Sequence, residues 1–90
     1  MKKQVHVFYS GRVQGVGFRF TAREAAAAAG VTGWVMNLRD GRVKVVAEAE
    51  EKDLQEVLSR LSNYFSSYIR NTDVEWKEAT GEFQDFTIRY

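Results

Sequence analysis

Ninety residues with 44% hydrophobic and 28% charged side chains describe one small globular domain, read as a single unit over residues 1–90 with a modest core. Thirteen lysines and arginines are interspersed with twelve aspartates and glutamates, so the net charge of +1 offers none of the basic striping that nucleic-acid binding requires. With no cysteine, disulfides and thiolate chemistry are excluded, and a single histidine leaves a His-based metal site short of ligands.

The chain opens Met1-Lys2-Lys3, as a signal peptide does, but Gln4, His6 and Ser10 interrupt any apolar h-region. No apolar run reaches the length of a membrane span, so a soluble, intracellular, cytoplasmic protein is expected. Val5, Val7 and Tyr9 alternate with His6, Phe8 and Ser10, the period of a strand. His6 within it is expected to be structural. A glycine-rich loop follows, and then a helix from Arg19 to Ala29, with Gly30 where an αL cap belongs. Its Ala25 to Ala29 run is simple helix propensity, and its small side chains let the helix lie close to a sheet.

Gly33 to Leu38 and Val43 to Ala49 read as two strands joined through Arg39-Asp40-Gly41-Arg42, where Asp-Gly signals a tight turn. Leu54, Val57, Leu58, Leu61 and Phe65 recur at helical spacing, so a second amphipathic helix begins near Lys52. Val74 and Trp76, and then Phe86, Ile88 and Tyr90, alternate with polar neighbours as two further strands. Trp34 and the stripe from Leu54 to Phe65 are expected in the core. Asp40, Glu48 and Asp53 are expected to be solvated surface acids rather than Mg²⁺ ligands. The order β-α-β-β-α-β, plus a short terminal strand, predicts an α+β fold, the ferredoxin-like split βαβ, with two helices on one face of an antiparallel sheet. Many activities share that fold, so function rests on the site.

Two segments carry chemistry. In Gly11-Arg12-Val13-Gln14-Gly15-Val16-Gly17-Phe18-Arg19, glycines allow a bend that turns successive backbone N–H groups into one concavity. The helix that follows adds free N–H groups and a positive dipole end. A plain strand-to-helix turn would account for the glycines alone. Arg19 argues further, because a cation at a helix N-terminus is unfavourable without an anion beside it. The loop lacks both the Gly-Lys-Ser/Thr ending of a P-loop and the glycine spacing of a dinucleotide fingerprint. A small tetrahedral anion such as phosphate is the ligand it suits. The second segment runs from Gly33 to Val43. Asn37 is unusual in its apolar strand; it either caps the hairpin or presents an amide to a water or substrate oxygen.

These segments resemble the paired signatures of the acylphosphatases, small enzymes that hydrolyse the carboxyl–phosphate bond of acyl phosphates. The first, Gly-x-Val-Gln-Gly-Val-x-Phe-Arg, is met by Gly11, Val13, Gln14, Gly15, Val16, Phe18 and Arg19; the second, Gly-aromatic-Val-x-Asn followed after three residues by Gly-x-Val, by Gly33, Trp34, Val35, Asn37, Gly41 and Val43. The closing Phe86-Thr87-Ile88-Arg89-Tyr90 is also similar to the family's end. Departures occur at Tyr9, usually aliphatic, and around the second helix, at Ala49-Glu50 and at Asn63 to Ile69, where Gly-Pro pairs are usual.

The resemblance implies a stand-alone, monomeric enzyme acting on a small-molecule acyl phosphate without cofactor or metal, with inorganic phosphate as product and competitive inhibitor and with no nucleic-acid or membrane partner. It implies that Arg19 binds the phosphoryl group, that Asn37 positions the attacking water, and that the backbone N–H groups of Gly15, Val16, Gly17, Phe18 and Arg19 cradle the phosphoryl oxygens. Two alternatives stand beside it. One is an anion-binding or regulatory module without turnover, as in carbamoyl-transferring maturation proteins. The other is an RNA-binding domain of the same fold, which would need aromatics such as Phe8 exposed on a basic sheet face.

Overall fold

A computed structural model describes residues 1–90. The elements are β1 (Lys2–Gly11), α1 (Phe18–Ala28), β2 (Thr32–Asn37), β3 (Val43–Glu50), α2 (Glu51–Tyr64), β4 (Ile69–Glu78) and β5 (Phe86–Arg89). They build one five-stranded sheet in the order β4-β1-β3-β2-β5.

The two-residue period of β1 turns Val5, Val7 and Tyr9 towards the helices, all fully buried. Val43, Val45, Ala47 and Ala49 of β3 and Val35 of β2 continue that face. The helices answer with Ala22, Ala25 and Ala26 from α1 and Leu54, Val57 and Leu61 from α2, completing one apolar cluster with Phe18 and Phe65. Phe18 stacks on Phe65 at 4.6 Å between ring centroids and tilts against Tyr9 at 4.8 Å. The expected stripe from Leu54 to Phe65 is therefore core. The Tyr9 hydroxyl is buried there without a hydrogen-bond partner, and burial raises its pKa.

Helix α1 ends as its sequence predicts. Gly30 has φ +70°, its N–H donates to the Ala27 carbonyl, and the Val31 N–H donates to that of Ala26 at 2.9 Å. This pair of bonds is the Schellman arrangement. Helix α2 starts at Glu51 directly after β3, and Glu51 and Asp53 in its first turn complement the helix dipole.

Three expectations are corrected. The sheet is mixed rather than antiparallel, because β5 runs parallel to β2. The chain leaves β4 at one edge and reaches β5 at the other through residues 79–85, which carry no helix. It passes along one end of the sheet, so β5 must run opposite to β4 and hence alongside β2. Glu48 is not a solvated surface acid. It is 5% exposed on β3 and anchors that crossing. Its carboxylate accepts hydrogen bonds from Gln4 Nε2, from the N–H and hydroxyl of Thr80, and from the Gly81 N–H, at 2.6–3.0 Å. Burial pushes its pKa up, but these donors outweigh burial and hold it below the ordinary carboxylate value.

Trp34 is the third. With Gly33 and Val35 facing the helices, strand alternation sends Trp34 to the opposite face, half-buried, with the Arg89 guanidinium 4.4 Å from its ring. Phe8 lies on that face too, covered by Arg42 at 4.7 Å and Lys44 at 5.1 Å. Its β4 neighbours there include Asp73 and Glu75. The chain's own cations thus occupy the aromatic faces, and acids share the surface. His6 is on this side as well. It bonds the Gln4 side-chain oxygen at 2.7 Å, and Gln4 in turn donates to Glu48, which makes His6 part of a structural chain. Burial, followed by the charges of Lys44 and Lys77, lowers its pKa.

Candidate active site

The loop between β1 and α1 is built around two left-handed residues. Gly15 has φ +77° and Gly17, the residue capping α1, has φ +82°. Space is open around both, so the backbone conformation, not crowding, favours glycine there. Val13 is anchored in the core at 1% exposure. Gln14 ties the loop to the β2–β3 hairpin, its Nε2 donating to the carbonyls of Leu38 at 2.7 Å and Arg42 at 3.0 Å. Across the hairpin, Leu38 N–H bonds Arg42 O at 2.8 Å, and Asp40 accepts from the Arg42 backbone and side chain.

The clamp brings together residues that are far apart in sequence. Gly15, Gly17, Phe18 and Arg19 line a cavity of about 300 Å³ with Val13, Phe20, Arg23, Asn37, Ile88 and Tyr90. Of the residues the sequence proposed, only Val16 is outside this lining; its side chain packs against the core. The N–H groups of Gly15, Val16, Gly17, Phe18 and Arg19 have no hydrogen-bond acceptor within the chain, and the first bond of the helix is from Thr21 N–H to Gly17 O at 3.0 Å. With the Phe20 N–H, these donors are therefore without a partner at a positive dipole end, and α1 has no acidic residue in its first turn.

Arg19 forms no salt bridge or hydrogen bond within the chain. Its guanidinium rests 5.0 Å from the centroid of the Tyr90 ring. Asn37, the last residue of β2, is half-buried, and its Oδ1 is enclosed without a donor. It does not cap the hairpin through that oxygen. The cavity is thus lined by residues of the acceptor-free loop, by Arg19 and by Asn37. No group of three or more His, Cys, Asp or Glu side chains is placed to hold a metal ion.

The sequence profile of the acylphosphatase family matches residues 5–88. The chain belongs to the acylphosphatase family. It is 46% identical over 86 residues to an acylphosphatase of Roseiflexus sp. strain RS-1, covering 94% of this chain and 92% of that one. The crystal structure of acylphosphatase from Bacillus subtilis superposes with a TM-score of 0.91 at 35% identity, over the full length of both chains. HypF, crystallised in its phosphate- and nucleotide-bound form, matches with a TM-score of 0.85 at 26% identity; all of this chain corresponds to 12% of HypF. The protein is therefore an acylphosphatase, a hydrolase of acyl phosphates.

Five lining residues of this acylphosphatase are absent from the sequence-derived site: Val13, Phe20, Arg23, Ile88 and Tyr90. Arg23 had a signal, since it follows Arg19 by four residues and shares its helix face. Ile88 and Tyr90 lie in the closing segment that is similar to the family's end, but no local pattern places that segment at the site, which β5 reaches through its pairing with β2. No helix is long and apolar enough to cross a membrane.

Proposed function

We propose that this acylphosphatase binds the phosphoryl group of its substrate on the free N–H groups of residues 15–19 and on Arg19, and that Asn37 orients the attacking water. The observation that carries the reading is that the loop and helix start whose N–H groups at residues 15–19 have no acceptor line one cavity together with Arg19 and Asn37. Phosphoryl transfer has a loose transition state with charge spread over the equatorial oxygens, so catalysis is positioning and charge stabilisation. Preorganised donors of this kind are each worth about 3–4 kcal/mol in the transition state. Arg19 adds charge-assisted hydrogen bonds without protein acids competing for it.

Asn37 orients the water through its side-chain amide, and the water attacks phosphorus in line. The phosphorus–oxygen bond to the acyl group breaks, and its electron pair leaves with the carboxylate, which needs no protonation. The water proton passes to a phosphoryl oxygen, giving carboxylic acid anion and inorganic phosphate. On this reading the phosphoryl site needs no metal, and phosphate competes with substrate. We also take the domain to span residues 1–90 and to act as a cytoplasmic monomer. Two features of the sheet face bearing Phe8 weigh against the RNA-binding alternative: cations of the chain cover its rings and acids lie beside it.

Phosphate release from benzoyl phosphate, measured with and without chelator, tests the reading. We expect turnover that chelator leaves unchanged and inorganic phosphate inhibits competitively. Inactivation by chelator, reversed by Mg²⁺, would defeat the metal-free mechanism.

A further inference from the structure

The cavity is lined by two guanidinium groups, Arg19 and Arg23, and by no aspartate or glutamate. One helical turn separates them on α1, which sets their Cβ atoms roughly 6 Å apart on one face. A bound phosphoryl group engages Arg19 and the loop N–H groups, and this leaves Arg23 as a second positive charge in the same concavity. Nothing in the chain neutralises it well. Its one ion-pair partner is the adjacent Glu24 at 3.9 Å, and both side chains are largely solvated, so that contact is weak. Phe20, 57% exposed, lies beneath the guanidinium with its ring centroid 5.4 Å away and orients it at the cavity rim. Phe20, Ile88 and Tyr90 provide apolar wall for the hydrocarbon part of an acyl group.

We propose that Arg23 is an anion subsite for the acyl moiety, and that the enzyme prefers acyl phosphates whose acyl group carries a second carboxylate. The inference rests on the placement of the phosphoryl group at Arg19 and the loop. A ligand with its phosphoryl group there extends its acyl chain along Phe20 and brings a distal carboxylate to Arg23, where a forked donor suits it. Both anionic ends then meet a cation, and the uncharged middle meets aromatic and aliphatic surface.

The test compares kcat/KM for 3-carboxybenzoyl phosphate with that for benzoyl phosphate in the wild-type enzyme, Arg23→Gln and Arg23→Lys. The ratio of the two is the readout, so any loss of folded enzyme cancels. We expect Arg23→Gln to lower the ratio about fivefold, the scale of one partly solvated charged contact. Arg23→Lys should restore most of it, and the wild-type ratio should fall as ionic strength rises. An equal ratio in wild type and Arg23→Gln overturns the subsite, including the case where Arg23 instead touches the phosphoryl group and both substrates suffer alike. Failure of the wild-type enzyme to hydrolyse either compound would instead bring down the phosphoryl-site reading, and the subsite with it.

Discussion

Arg19 has only the Tyr90 ring as an intramolecular partner, and it sits at the positive end of α1. A cation there costs stability unless an anion is bound. Arg19→Gln should therefore leave the protein folded, with thermal unfolding within a few degrees of wild type. It should lower kcat/KM by about 100- to 1000-fold, the effect of removing a preorganised transition-state donor, and weaken phosphate binding. Near-normal turnover of benzoyl phosphate in this variant would remove Arg19 from the mechanism. Asn37 calls for the opposite separation. Its buried Oδ1 has no donor, so Asn37→Ala removes an unsatisfied acceptor and should leave Tm unchanged or higher. If Asn37 orients water, kcat should fall about 100-fold while phosphate still binds as a competitor. Lost phosphate affinity with kcat retained would place Asn37 in the binding shell instead.

At the scale of elements, the loop–helix junction is testable against a matched control. Gly15 and Gly30 share the left-handed conformation, with φ +77° and +70°, and neither has an atom within 4 Å of an added Cβ. Alanine at either position costs about 1–2 kcal/mol of backbone strain. Only Gly15 lines the cavity. Gly15→Ala should therefore lose phosphate affinity and rate together, because the same N–H groups hold ground and transition states. Gly30→Ala should show the stability cost alone. Equal kinetic effects in the two variants would refute the cradle. The helix bearing Arg19 and its alanine packing face were legible locally, since propensity and the Gly30 stop act within a few residues. The Gln14 clamp was not, since a side chain bonding two carbonyls on a distant hairpin leaves no periodic trace in sequence.

Across the whole molecule, the crossing from β4 to β5 hangs three donors, from Thr80 and Gly81, on Glu48. Glu48→Gln keeps the volume but removes the charge and turns one of the two acceptor oxygens into a donor, so either the Thr80 donors or the Gly81 N–H lose their acceptor. The expected loss is about 2–3 kcal/mol, or a Tm roughly 10 °C lower for a domain of this size. Wild-type stability should also depend on acid. The folded Glu48 pKa lies below its ordinary value of ~4.3. Its contribution is therefore complete above that value and lost as pH falls through the lower folded one. The lowered His6 pKa acts with the same sign at a higher pH: protonation favours the unfolded chain, and stability declines as pH drops below ~6.5. Denaturant unfolding of wild type and Glu48→Gln between pH 7 and pH 3 measures both. A variant equal to wild type in stability at pH 7 would show that the crossing does not need the carboxylate.

By itself the sequence determined the element order, the apolar faces, the glycine turn before α1 and the family signatures, because each of these is written in residues a few positions apart. Only the tertiary structure decided that β5 lies parallel to β2, that Trp34 faces away from the helices, that Glu48 is buried as an anchor, and that Arg23, Ile88 and Tyr90 share a cavity with Arg19 and Asn37. Those outcomes depend on which strand edges meet and on where a helix-free crossing must travel, and these are relations between segments that no local pattern encodes.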